Sequence, residues 1–123
     1  MKTLISRCPI EEVMQVLSGR WPTLLIYYLK DGTKRFSDLR RDNPTISHKI
    51  LAFELRKLES AGIVQRTDFS TYPLRVEYNL TQAGGKLVPL LDALGAWWEI
   101  TDRGAGEQDL LRSHAGGTGM VDQ

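Results

Sequence analysis

The stretch Arg7-Cys8-Pro9-Ile10-Glu11-Glu12 carries the one cysteine of the chain, set directly before a proline. Proline suits the first position of a helix, where its missing N–H would have no partner anyway. A thiol at that place faces the positive end of the helix dipole, which favours the thiolate. Arg7 works in the same direction. Glu11 and Glu12 oppose it, and the proline leaves one fewer N–H to stabilise the anion. Two roles fit Cys8: a sensor of oxidants or electrophiles, and a small residue that packs at a helix start. A single cysteine excludes an internal disulfide and any multi-cysteine metal site. It also leaves no second thiol in the chain to resolve a sulfenic acid. Any thiol switch therefore uses a Cys8–Cys8′ bridge between subunits, a mixed disulfide with a small thiol, or alkylation. A catalytic cysteine would need a base and an orienting group. The two histidines, His48 and His114, fall in a basic helix and a polar tail and lack metal-ligand spacing. The chain is therefore expected not to be an enzyme and to hold no cofactor or metal.

The second set of reactive positions is cationic. Net charge is only +1, but it is unevenly spread. Between Lys30 and Lys57 stand eight basic residues (Lys30, Lys34, Arg35, Arg40, Arg41, Lys49, Arg56, Lys57) against four acidic ones (Asp31, Asp38, Asp42, Glu54). From Leu87 to the end, two basic residues face six acidic ones. A basic middle and an acidic tail describe either one face built for phosphate or a solvated mixed surface.

The elements that must position these groups follow from periodicity. Pro9 to about Leu17 is an amphipathic helix carrying Val13, Val16 and Leu17, broken by Ser18-Gly19. A second helix begins near Trp21-Pro22, places Leu24, Leu25, Tyr28 and Leu29 on one side, and stops at Asp31-Gly32. Phe36 to Arg41 is one or two helical turns, ended by Asn43-Pro44 because a residue before proline avoids the α region. Ser47 to Ser60 is the most informative helix. Thr45 or Ser47 caps its start, Gly62 closes its end, and Leu51, Leu55 and Leu58 form a core stripe. Lys49, Ala52, Phe53, Arg56 and Ser60 fall together on another face. The period then changes to two. Ile63–Phe69 and Arg75–Leu80 read as strands of a hairpin around a Ser70–Pro73 turn, with Val76, Tyr78 and Leu80 on one face. Thr81 caps a last helix. One of its stripes holds Leu87, Leu91, Leu94 and Trp98, and a neighbouring one Leu90 and Trp97. Gly84-Gly85 weakens its start, and Pro89 is expected to kink or break it.

A short helix, a turn with proline, and a helix with a separate polar face make a helix-turn-helix; a hairpin directly after it makes a wing. The fold expected is mainly α with a small β-hairpin: a winged helix flanked by N- and C-terminal helices. The leucine stripe seats the fourth helix, and its other side can enter a major groove about 12 Å wide. Expected DNA contacts are Ser47, His48, Lys49, Phe53 and Arg56, with Arg66 and Arg75 on the wing and Arg40 and Arg41 on backbone phosphate. Phe53 can touch a thymine methyl or pack on the preceding helix.

The sequence closely resembles the HxlR-type winged-helix regulators of bacteria, relatives of the MarR group, from about Cys8 to Trp98. The resemblance rests on Cys8-Pro9 with Gly19-Arg20-Trp21, on Arg35-Phe36-Ser37-Asp38-Leu39, and on Ile46-Ser47 leading to Leu51, Leu55 and Leu58-Glu59. It ends on Pro73 with Val76-Glu77-Tyr78 and Leu80-Thr81. Arg20 stands where the family usually has lysine. The resemblance implies a homodimeric transcription factor on palindromic double-stranded DNA. Its dimer interface would use the first helix with Leu87, Leu91, Leu94, Trp97 and Trp98. It also implies that a cysteine at the place of Cys8 senses quinones, aldehydes, hypochlorite or disulfide stress.

At 123 residues, with 41% hydrophobic and 25% charged residues, one compact domain is expected. Its limits are residues 1–103, followed by a polar, glycine-rich tail, 104–123, in which Asp109–Arg112 can add a helical turn. No run of about 18 apolar residues exists and the N-terminus does not read as a secretory signal, so a cytoplasmic protein without a membrane partner is expected. The alternative to Cys8 sensing is a small-molecule ligand held at the dimer interface by Tyr27, Tyr28, Trp97 and Trp98. A winged helix used only to bind proteins would not keep the basic middle segment.

Overall fold

Pro9 opens α1 (Pro9–Leu17), and an extended Ser18 followed by Gly19 at φ 93° stops it. The computed structural model describes residues 8–101. Five helices alternate with three short strands: α1, α2 (Trp21–Leu29), β1 (Lys34–Arg35), α3 (Phe36–Asp42), α4 (His48–Ser60), β2 (Val64–Asp68), β3 (Val76–Leu80) and α5 (Gln82–Ile100). The helix-turn-helix and wing expected from the pattern are present.

The core forms where four helices and the sheet bring apolar faces together. Leu25, Ile26 and Leu29 of α2, Leu39 of α3, Leu51, Leu55 and Leu58 of α4, and Val64 of β2 are almost fully buried. Burial of each leucine contributes roughly 2 kcal/mol. The inner face of α2 differs from the expectation. Pro22, Leu25, Ile26 and Leu29 are buried, whereas Leu24 and Tyr28 are half-buried. The helix rotates so that its most compact apolar set faces inward.

The turn between α3 and α4 is closed by a buried polar residue. The Asn43 amide donates to the Leu39 carbonyl at 2.9 Å, and the Asn43 carbonyl accepts from the Ile46 N–H at 3.1 Å. A buried amide is tolerated only with such partners. Ser47, not Thr45, caps α4: its Oγ accepts from the Ile50 N–H at 3.1 Å. At the other end Gly62, at φ 78°, lets Ile63 N–H reach the Leu58 carbonyl and its own N–H reach Glu59. These two bonds are a Schellman closure, which needs a left-handed residue at this place.

The sheet holds one strand more than the hairpin expected. β1 pairs antiparallel with β3 (Lys34 opposite Tyr78), and β2 pairs with its other edge (Arg66 opposite Tyr78), giving the order β1-β3-β2. β1 is two residues long and contains no apolar residue, so no alternation marks it. The strands are also shorter than Ile63–Phe69 and Arg75–Leu80, since Ile63 belongs to the α4 closure and Arg75 to the wing loop.

Thr81 caps α5, accepting from Gly84 N–H and donating to the Gly62 carbonyl. Gly84 is a requirement rather than a weakness. A Cβ there would collide with the Ile63 carbonyl oxygen. Pro89 does not break α5, which runs unbroken from Gln82 to Ile100. The chain nonetheless divides there into two compact units, Met1–Val88 and Pro89–Gln123. In the second unit the described part is the rest of α5 and Thr101. Asp109–Arg112 and His114 lie outside the described residues, as does Arg7.

Candidate nucleic-acid interface

The exposed side of α4 is set by the same periodicity that buries its leucines. Leu51, Leu55 and Leu58 face the core, while Lys49, Phe53, Arg56 and Ser60 are exposed. Positions 49, 53, 56 and 60 repeat at i, i+4, i+7 and i+11, one line along a helix. The helix therefore presents two cations and one aromatic ring on a face that carries no acid. Phe53 is 52% exposed, with the Lys57 ammonium 6.0 Å from its ring. About half of its surface is open to water, so the ring is accessible from outside the domain.

At the start of α4, Ser47 spends a lone pair on its cap and keeps its O–H as a donor. His48 is exposed, its ring 4.6 Å from that of Phe36 at a tilt of 48°. That contact ties the first turn of α4 to the first turn of α3.

Internal ion pairs sort the basic residues. Lys34 is bound to Asp42 at 2.8 Å, Arg41 to Asp38 at 2.7 Å, and Lys57 to Glu54 at 3.1 Å. Each joins a cation and an acid of the same stretch. The Asp38 carboxylate accepts from the Arg35 backbone N–H and from Arg41, which holds its carboxyl below the usual aspartate range. The hydrogen bond to Asp42 raises Lys34 above the ordinary lysine value. Lys30, Arg35, Arg40, Lys49 and Arg56 enter no ion pair among the described residues. The uncompensated charge of the segment thus includes Arg40 on α3 and Lys49 and Arg56 on α4, as a phosphate-facing surface requires. Arg41, expected on phosphate, pairs with Asp38 while its side chain stays 71% exposed.

On the wing, Arg75 is tied to Glu77 at 2.8 Å and lies over the Phe69 ring at 4.6 Å. Arg66 sits 3.9 Å from Asp68. Phe69, Tyr72 and Leu74 at the wing tip are all exposed, an apolar tip that the strand pattern did not reveal. A feature missed in the sequence lies beside α4: a cleft of about 370 Å³ lined by Ala52, Arg56, Glu59, Arg66 and Tyr78.

Cys8 is the N-cap of α1. It is exposed and extended (φ −69°, ψ 122°), and its side chain makes no capping hydrogen bond. Glu11 and Glu12 occupy the first turn, as the spacing implied. On α1 Ile10 and Met14 are exposed; on α5 Leu90, Leu94, Trp97 and Trp98 are 41–65% exposed, while Leu87 and Leu91 are half-buried. The two indole rings stand 6.4 Å apart. Among the described residues no cluster of histidine, cysteine or acidic side chains could hold a metal, and no helix is long and apolar enough to cross a membrane.

Comparison with known proteins agrees with this architecture. Residues 16–103 match the family model described as HxlR-like helix-turn-helix, a span that begins after Cys8. An HTH-type transcriptional regulator of Bacillus subtilis, YybR, is 36% identical over 116 residues, covering 94% of this chain and 88% of the relative. Among solved structures, the redox regulator HypR in its oxidised form is 40% identical with a TM-score of 0.67, covering 73% of this chain and 93% of HypR. The reduced form of the B. subtilis transcriptional regulator YodB is 38% identical with a TM-score of 0.68, covering 75% of this chain and 91% of YodB. YodB has also been solved diamide-treated and quinone-bound. With its winged helix, its acid-free outer face on α4 and these relatives, the chain belongs to the HxlR-like helix-turn-helix family of transcriptional regulators.

Proposed function

We propose that this protein binds palindromic operators as a homodimer and that oxidants or electrophiles acting on Cys8 change its grip on DNA. The observation that carries the DNA reading is the segregation on α4. A stripe of three buried leucines fixes the helix, and Lys49, Phe53 and Arg56 stand clear of it. In this reading α4 enters the major groove. Lys49 and Arg56 meet phosphate or guanine edges, Phe53 meets a thymine methyl, and Ser47 and His48 meet the backbone near the helix start. Arg40 and Arg41 take flanking phosphates, and the wing with Arg66 and Arg75 approaches the neighbouring groove.

The homodimer is supported by apolar side chains left in water on α1 and α5. A small domain rarely leaves tryptophans and leucines exposed unless a partner covers them. A twofold dimer would set two recognition helices about one DNA turn, roughly 34 Å, apart. Sensing through Cys8 is supported by its exposure at a helix start and by the likeness to HypR and to quinone-bound YodB. With one cysteine per chain, diamide would take two hydrogens from two Cys8 thiols and leave a disulfide between subunits. A quinone would instead add to the thiolate, forming a C–S bond.

The test is a gel shift on the DNA upstream of the protein's own gene, at fixed salt, before and after diamide or benzoquinone. The parent should bind tightly, lose binding on treatment, and regain it with reductant after diamide. Cys8→Ser should bind and ignore both reagents. Equal release of the mutant would overturn the role of Cys8 and move attention to a ligand at Tyr27, Tyr28, Trp97 and Trp98.

A further inference from the structure

The outer side of α4 is divided lengthwise. Lys49 and Arg56 carry its charge. Phe53 is turned about 40° from Lys49 around the helix axis, and Ile50 about 60° further the same way. Ile50 and Phe53 stand at i and i+3, which makes them neighbours on the helix surface. They are 40% and 52% exposed. The core claims neither, because the buried stripe of α4 is Leu51, Leu55 and Leu58. The next side chain on this flank, Lys57, pairs with Glu54 at 3.1 Å and is 27% exposed, its ammonium 6.0 Å from the centre of the Phe53 ring. Its charge is met within α4. The helix thus presents two adjoining apolar groups beside two cations that enter no ion pair among the described residues. Single exposed apolar residues are ordinary, but an adjoining pair on a recognition surface calls for a partner. A protein surface covering Ile50 and Phe53 would also desolvate Lys49 and Arg56. The major groove of DNA suits both, since it offers acceptors to the cations and a methyl group to the apolar pair.

We propose that Ile50 and Phe53 together read the methyl groups of two successive thymines on one strand of each operator half-site, with Lys49 and Arg56 on the adjoining polar edges and phosphates. This rests on the DNA reading above and adds to it a second specificity residue, Ile50, and a base pattern. The thymine methyl is the one apolar group that base pairs show in the major groove. Residues i and i+3 are about 4.5 Å apart along a helix, close to the roughly 3.4 Å between successive base pairs. Each side chain can therefore meet one base step. Ile50 is β-branched and held near one rotamer on a helix, so its contact costs little further ordering.

The pattern discriminates in two ways. A cytosine at either place turns its amino donor toward an apolar side chain that cannot accept from it, and the desolvated donor is left without a partner. A uracil loses only the methyl. Replacing thymine by deoxyuridine therefore isolates the apolar contact and leaves base pairing and phosphates as they were. One methyl buried against an apolar side chain corresponds to about a fourfold change in affinity.

The experiment has two stages. First, the full-length protein selects duplexes from a random pool at fixed salt. The selected half-sites should share two adjacent thymines on one strand. Second, the thymines of one half-site are replaced singly by deoxyuridine, and Kd is read by fluorescence anisotropy. The proteins compared are the parent, Ile50→Ala, Phe53→Ala and Phe53→Leu, with urea unfolding to show that each is folded. The parent should weaken about fourfold for each of the two methyls removed. Phe53→Ala should bind the thymine and deoxyuridine forms alike at one of the two positions, and Ile50→Ala at the other. Phe53→Leu keeps an apolar group in place and should still distinguish the two forms. Selected half-sites without adjacent thymines, deoxyuridine forms that the parent binds as tightly as the original, or a thymine preference that survives both alanine variants each overturn the methyl reading and leave DNA binding standing. A protein that retains no duplex from the pool overturns the DNA reading and this inference with it.

Discussion

α4 and the second half of α5 are built on the same period and expose opposite chemistry. α4 buries three leucines and shows water Lys49, Phe53 and Arg56. α5 from Pro89 onward shows water Leu90, Leu94, Trp97, Trp98 and Ile100. A helix that hides its apolar stripe in its own domain leaves a face free to recognise a polyanion. A helix that leaves its apolar stripe outside is written for a protein surface. On the proposed reading, the contrast separates the two partners, DNA and a second copy, onto different helices.

The comparison can be broken most forcefully at the leucines. Leu55→Ala should destabilise the fold by about 3 kcal/mol, as large-to-small changes at fully buried sites do. Urea unfolding followed by circular dichroism reads this directly. Leu94→Glu should do the reverse: it should leave the unfolding midpoint of the isolated domain nearly unchanged and shift the protein toward monomer in sedimentation at micromolar concentration. A destabilised monomer with Leu94→Glu, or an unaffected Leu55→Ala, would erase the distinction between the two helices. A smaller effect sharpens the α4 side. Ser47→Ala removes the acceptor for the Ile50 N–H and should cost about 1 kcal/mol of stability. DNA affinity measured well below the melting temperature should fall only if the start of α4 also touches the backbone.

The sequence disclosed the organisation well because most signals were local. Pro9, Ser47, Gly62 and Thr81 sit at helix ends for reasons that a few neighbouring residues decide. The leucine stripe of α4 repeats without interruption, so its direction was legible. The parts that were not legible depend on distant partners. β1 has two residues and no apolar one, and only its pairing with β3 makes it a strand. Gly84 reads as a weak start to α5 until the Ile63 carbonyl is placed against it. The face of α2 turned toward Pro22 and Ile26 because α4 and β3 supply the opposing surface. In the candidate site, Lys49, Phe53 and Arg56 follow from periodicity alone. The joining of Arg56, Arg66 and Tyr78 along one cleft follows from tertiary placement.

The central claim is that the outer face of α4 meets DNA through its cations. The direct measurement is the salt dependence of operator affinity for the parent and for Lys49→Ala/Arg56→Ala, with unfolding curves of both proteins alongside. The double variant should keep its fold, bind DNA at least tenfold more weakly, and show a salt slope shallower by about 1 to 2, the signature of lost phosphate contacts. A double variant that binds the operator with the affinity and salt slope of the parent would contradict the assignment of α4 as the recognition helix.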